Sequence, residues 1–319
     1  MIINFFLLLL GLGLLIKGAD WLIDGSSTFA RQKKVSDLVI GLTIVAFGTS
    51  APELVVNTVA AYQGRNELVF GNVIGSNNFN LFIILGISGL IYPLVVQRDT
   101  IKKEIPISLL AVVVLFVIAN DLITAQSGTL SRLDGLILIG IFILFLLYIR
   151  NQLSKNPIEA VEAPKDFSKF KILGFIILGL AGLVLGGNLV VDSATGIAQF
   201  FGVSEKIIGL TIVAAGTSLP ELATSLMAAI KKNTDIAVGN IIGSNIFNIF
   251  LILGISSIVR PLEYDTVFNN DLYLLFGGTT FLIIFMFTGR KKRLDRWEAL
   301  LLLLSYLVYT ILLISKETG

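Results

Sequence analysis

Two stretches of this chain place a carboxylate where water should be absent. Gly48-Thr49-Ser50-Ala51-Pro52-Glu53-Leu54 lies inside a long apolar run, and Gly216-Thr217-Ser218-Leu219-Pro220-Glu221-Leu222 repeats it 168 residues later. An ionised side chain at bilayer depth costs about 3 kcal/mol on insertion scales, so such residues are functional by default. Pro52 has no N–H, which leaves the Gly48 carbonyl without its helical donor and opens the helix at that turn. Broken backbone survives at membrane depth only where protein or a water-filled cavity surrounds it. Carboxylate, hydroxyl and freed carbonyl oxygens are hard ligands, suited to Na⁺ or Ca²⁺ and not to soft metals.

Each motif is followed by a second polar run. Gly71-Asn72-Val73-Ile74-Gly75-Ser76-Asn77-Asn78-Phe79-Asn80 returns as Gly239-Asn240-Ile241-Ile242-Gly243-Ser244-Asn245-Ile246-Phe247-Asn248. Helical spacing puts Ala46, Ser50 and Glu53 on one face, with Thr49 one turn before Glu53. Ser76 and Asn80 are likewise i, i+4, as are Ser244 and Asn248. Asn80 and Asn248, sharing a face with the serines, are ligand candidates. Asn72, Asn77, Asn240 and Asn245 could bind an ion or tie the open backbone of the broken helices, and the second reading is favoured. The glycines four apart read as close-packing positions.

The elements that carry these residues are membrane helices. Of 319 residues, 55% are hydrophobic and 14% charged, and the mean hydropathy is +0.88. Soluble domains carry about 25% charged residues. Ten apolar segments near the ~20 residues needed to span fall at 3–23, 36–62, 68–95, 104–121, 130–149, 170–191, 204–230, 236–260, 271–289 and 297–315. The first run has no basic flank before its apolar core and no clean cleavage site, so it is read as a retained helix. Cysteine and histidine are both absent, which excludes disulfides, thiolate or imidazole metal ligands and the usual proton-relay side chain. A net charge of +2 points to no nucleic-acid partner. No nucleophile–base pair stands out, so the chain does not read as an enzyme.

Laid over itself at an offset of 168, the chain needs no gap from about Gly11 to Pro93. Val35–Leu54 matches Val203–Leu222 at 15 of 20 positions, and Gly71–Ser88 matches Gly239–Ser256 at 14 of 18. The expected fold is all-α and integral to the membrane. It has two five-helix repeats, 1–150 and 170–319, joined by a cytoplasmic linker, 151–169. Five spans per half make the repeats inverted, with broken helices 2 and 7 meeting at the midplane, the arrangement that marks a binding site in secondary transporters. The connections after odd-numbered spans hold 18 Lys and Arg, against five on the opposite side. The positive-inside rule therefore puts both termini outside. Lys17 and Asp20 have no counterparts and read as a local i, i+3 pair. Asp24 recurs as Asp192 at the expected helix ends, where gate and cap readings are both open.

Glu53 and Glu221 together carry two negative charges. One Ca²⁺, or two or three Na⁺, or protons, would neutralise them, so different cations compete for one pair of acids. If crossing requires neutralisation, only the loaded carrier crosses, and exchange is obligatory because a bare buried charge is expensive.

These paired motifs resemble the cation/Ca²⁺ exchanger superfamily, in its Na⁺/Ca²⁺ exchanger branch. The resemblance covers all ten spans. It implies an alternating-access antiporter of the multi-pass cell membrane, functional as a monomer, with Na⁺ and Ca²⁺ as cargo and no cofactor. By position it implies that Glu53 and Glu221 ligate both ions and that Thr49 and Thr217 serve Ca²⁺. Ala46, Ser50 and Ser76 would line one Na⁺ site, and Ala214, Ser218 and Ser244 another, while sliding of spans 1 and 6 alternates access. One departure stands out: Asn248 occupies a position where several exchangers carry aspartate, which removes a possible charge and disfavours K⁺ dependence. Ca²⁺/H⁺ antiport by the same carboxylates, and a passive cation channel, are the competing readings.

Overall fold

The computed structural model describes residues 2–98, 100–120, 128–155, 167–201, 214–288 and 292–318. The part of the seventh expected span that precedes residue 214, and most of the 151–169 linker, lie outside these residues. The described chain is built on helices, which suits long apolar runs that must satisfy their own backbone groups. In chain order they are α1 (Ile2–Lys33), α2 (Asp37–Thr49), α3 (Ala51–Tyr62), α4 (Asn66–Ile91), α5 (Ile105–Ala119) and α6 (Arg132–Lys155). They continue as α7 (Lys169–Phe200), α8 (Ala214–Gly216), α9 (Leu219–Ile230), α10 (Thr234–Val259), α11 (Asn269–Phe285) and α12 (Arg296–Thr318). Among the described residues, seven helices are long and apolar enough to cross a membrane, or eight with the bent α2–α3 pair taken as one span. Four strands of two residues each supplement the all-helical expectation. They form two antiparallel clips, Leu94–Val95 with Arg293–Leu294 and Thr129–Leu130 with Leu262–Glu263.

Burial separates scaffold from centre. The α6, α7 and α12 helices turn large apolar side chains outward, among them Leu144, Phe170 and Ile311, as a lipid-facing surface should. α4 and α10 lie inside, and every residue from Ile236 to Phe250 is buried. Glycine lets these inner elements meet. A Cβ on Gly239 would stand 2.8 Å from the Leu38 carbonyl oxygen, and one on Gly243 would stand 2.7 Å from Ala46 Cβ. The packing reading therefore holds in the second half; the equivalent neighbours of Gly75 are residue 210, outside the described part, and Ala214, whose side chain is not described.

α1 and α7 pack along much of their length through small residues. Added carbon at Gly18 would lie 2.8 Å from the Gly179 carbonyl oxygen, and at Gly186 2.8 Å from the Gly11 carbonyl oxygen. Asp24 and Asp192 sit well inside these two 32-residue helices, so neither is a cap. The shorter extents expected for spans 1 and 6 missed their polar ends, which apolar counting cannot see.

Candidate cation site

The centre is made by two matching breaks. α2 ends at Ser50 (φ −86°, ψ 4°), and α3 starts with Pro52 in its first turn, bent 47° from α2. Ser218 (φ −90°, ψ 5°) makes the same break before α9, where Pro220 again lies in the first turn. Proline is acceptable there because first-turn N–H groups have no intrahelical acceptor. The result is that Glu53 and Glu221 each occupy the first turn of a helix that begins inside the protein, where the positive end of the helix dipole favours an anion.

Both carboxylates are 1% exposed, and the two interact electrostatically. Each leaves one oxygen, Oε2, without a hydrogen-bond donor. Buried acceptors of this kind are rare and need a partner. Asn80 and Asn248, also 1% exposed, likewise leave Oδ1 unpartnered. Four buried oxygens, two on carboxyl groups and two on amides, thus have no donor.

The surrounding hydrogen bonds come in pairs related by the 168-residue offset, and most of them cross between the halves. Ser50 Oγ lies 3.0 Å from Ser244 Oγ, and Ser218 Oγ 3.1 Å from Ser76 Oγ. Thr49 Oγ1 is 3.1 Å from Asn240 Oδ1, and Asn72 Nδ2 donates to Thr217 Oγ1 at 3.2 Å. Asn80 Nδ2 donates to Asn245 Oδ1 at 3.1 Å, and Asn248 Nδ2 to Asn77 Oδ1 at 3.0 Å. Asn77 and Asn245 each donate to the other's main-chain carbonyl at 3.4 Å. Of the asparagines expected to tie the broken helices, Asn240 donates to the Glu221 carbonyl of α9 at 3.4 Å; Asn72 meets only side chains, and Asn77 and Asn245 bridge α4 and α10 and hold Asn80 and Asn248 with the free oxygen unspent.

One bond breaks the pairing: Ser50 Oγ donates to Glu221 Oε1 at 2.8 Å. The serines expected to line a site within each half, Ser50 with Ser76 and Ser218 with Ser244, are hydrogen-bonded across the halves. The Ala46 carbonyl already accepts from Ser50 N at 3.0 Å and Thr49 Oγ1 at 3.3 Å. Ala214 lies at the start of α8, beyond which its side chain is not described.

Two contributors escaped the sequence reading. Asn57 Nδ2 donates to the Glu53 carbonyl at 2.7 Å and to Asn72 Oδ1 at 2.9 Å, while its equivalent, Ser225, accepts from Asn240 Nδ2 at 2.9 Å. The available signal was a polar residue one turn after each glutamate in both halves. Backbone irregularity was also invisible: Phe79–Ile84 and Phe247–Ile252 are π-helical, and they carry Asn80 and Asn248. Such turns are frequent at functional sites because they re-aim side chains.

Among the described residues no cluster of three acids gathers as a resident metal site. A pair of acids among neutral oxygens, enclosed by broken helices in a multi-pass membrane protein, is the design of a transporter that carries cations. The chain belongs to the sodium/calcium exchanger protein family, which it matches over residues 3–150 and 171–315. It is 38% identical to the putative antiporter CaxA of Alkalimonas amylolytica, over 99% of this chain and all of that one. It is 33% identical to the sodium/calcium exchanger MaX1 of Methanosarcina acetivorans, covering 98% of each. Solved structures of the sodium–calcium exchanger NCX_Mj, including one soaked with Na⁺ and Ca²⁺, align with a TM-score of 0.82 at 34% identity over 98% of both chains. The protein is an integral membrane transporter of the cation/Ca²⁺ exchange class.

Proposed function

We propose that this protein is a secondary active Na⁺/Ca²⁺ antiporter in which Glu53 and Glu221 bind either cargo in turn. The observation that carries the reading is the pair of buried carboxylates, each with an unpartnered oxygen, braced by matched neutral donors from both halves. Ca²⁺ takes 6–8 oxygens at about 2.3–2.6 Å. Glu53, Glu221, Thr49, Thr217 and the carbonyls freed by the prolines supply that number. Asn80 and Asn248 complete the cage through Oδ1. The serine pairs Ser50·Ser244 and Ser218·Ser76 are the candidate Na⁺ sites, each drawing on both halves.

The frame for this chemistry is ten helices in two inverted halves, 1–150 and 170–319, with both termini outside. Loading neutralises the acids, and an empty carrier would drag two bare charges through low dielectric. That asymmetry couples the flow of one ion to the other. The sodium/calcium exchanger names of MaX1 and NCX_Mj favour Na⁺ as the counter-ion.

Reconstituted vesicles loaded with Na⁺ should take up Ca²⁺ only while an outward Na⁺ gradient lasts. Uptake that ignores Na⁺ and follows a pH gradient would replace this reading with Ca²⁺/H⁺ antiport. Flux needing no counter-ion would replace it with a channel.

A further inference from the structure

The two approaches to the central cage are closed differently. On one face a cavity of about 120 Å³ reaches Thr217, between Pro52, Gly187, Val191 and Pro220. The equivalents of Gly187, Val191 and Thr217 on the other face, Ala19, Ile23 and Thr49, are 0–2% exposed; a cavity of about 410 Å³ on that face is lined by Ile23, Asp24 and Lys231 and does not reach Thr49. The closed face is the one expected, from its basic connections, to meet the cytoplasm.

An ion-pair bridge spans this closed face. Lys231, immediately after α9, places Nζ 2.6 Å from Asp20 Oδ1 and 2.9 Å from Asp24 Oδ1, both on α1. It also donates to the Asp20 main-chain carbonyl at 3.0 Å. Lys17 takes the other Asp20 oxygen at 2.7 Å and thereby fixes the carboxylate's rotamer. α9 begins at the broken turn that carries Glu221, so Lys231 ties the far end of that helix to α1. On the open face the three equivalent positions are Asn188, Asp192 and Gln63. No cation stands among them, and the repeat is broken at this bridge while it is kept in the cage.

We infer that Lys231 is a positioning residue of the transport cycle. Its bridge to Asp20 and Asp24 holds the basic-face entrance shut and biases the carrier toward the state open on the opposite face. This rests on the exchange reading and adds a built-in preference to it. α1 and α7 meet closely through glycines along their length, so they pack as one unit, and the Lys231 bridge ties that unit to the helix that carries Glu221.

The chain has no cysteine, which makes single-thiol labelling free of background. Ala19→Cys reports on the closed face and its equivalent, Gly187→Cys, on the open one. Both are made in the full chain in vesicles and treated with a membrane-impermeant methanethiosulfonate. With Lys231 intact, Gly187→Cys should react fast and Ala19→Cys slowly. Lys231→Met should raise the Ala19→Cys rate roughly fivefold and slow Gly187→Cys, a shift of about 1 kcal/mol, the upper end for solvent-reached ion pairs. Lys231→Arg should restore the original ratio. In flux assays Lys231→Met should lower the half-saturating Ca²⁺ concentration on the basic face without abolishing exchange. If Lys231→Met does not yield a monodisperse protein, the Asp20→Asn, Asp24→Asn double variant removes the bridge from its other side and must give the same shift. Unchanged labelling ratios in a folded, exchanging variant overturn the inference. Labelling that shifts while Na⁺ drives no Ca²⁺ uptake even in the parent chain keeps Lys231's role and removes the exchange reading instead.

Discussion

Removing one of the two central acids should nearly stop transport. Glu53 and Glu221 are each 1% exposed, and each offers one unpartnered oxygen. Glutamine keeps the shape but replaces one oxygen with an NH₂ that cannot ligate a cation. A divalent ion that the pair neutralises would then be left with one uncompensated charge in a protein interior. Breaking a buried charge pair by deleting one partner costs about 3–5 kcal/mol, or roughly 10²- to 10⁴-fold in binding. The assay is Na⁺-gradient-driven uptake of radioactive Ca²⁺ by vesicles containing Glu53→Gln or Glu221→Gln, with folding checked by size-exclusion profile. Glu104→Gln is the control. Glu104 is 0% exposed and also leaves Oε2 unpartnered, but its Oε1 accepts from Tyr148 and Gln152 and it lies outside both motifs, so exchange should persist. Exchange by either central variant within a factor of roughly three of the parent, about 0.65 kcal/mol, refutes the reasoning. So does an equal loss in a folded Glu104→Gln protein, because burial alone would then explain the effect.

Two further outcomes follow from the hydrogen bonds. Ser50 and Ser218 are equivalent in sequence, yet Ser50 donates to a carboxylate at 2.8 Å while Ser218 contacts Ser76 at 3.1 Å. Charge-assisted bonds contribute about 1.5–3 kcal/mol and neutral ones about 0.5–1.5, so Ser50→Ala should weaken exchange more than Ser218→Ala; the comparison is made by cation titration of flux, and the reverse order argues against the assigned partners. Asn248→Asp deletes the donor that Asn77 Oδ1 accepts from at 3.0 Å and sets two acceptors face to face. It should lower thermal stability by about 1–3 kcal/mol, read from the unfolding midpoint in detergent, and an unchanged or higher midpoint would show that the amide bracket is oriented the other way.

The acids, the helix breaks and their duplication could be read from the chain directly. Proline before glutamate in an apolar run dictates a kink and an expensive charge whatever surrounds it, and a 168-residue offset is a property of the string. The tie from Asn240 to the Glu221 carbonyl was foreseeable for the same reason: open backbone needs a nearby amide. Partnership between helices was not. Spacing of i, i+4 places Ser76 and Asn80 on one face, but which groups that face meets depends on how α4 and α10 interleave. It is the interleaving that joins Ser50 to Ser244 and leaves Oδ1 of Asn80 free. The π-helical turns beneath Asn80 and Asn248 shift the face itself, and no residue type encodes them. Lys17 and Asp20 showed an i, i+3 pair in the sequence, and the structure contains it; the separation of 211 positions from Asp20 to Lys231 hid the bridge to α9. Local covalent chemistry therefore settled which oxygens would be costly to leave bare, and only the packed helices decided which neighbours hold them and which helices the Lys231 bridge joins.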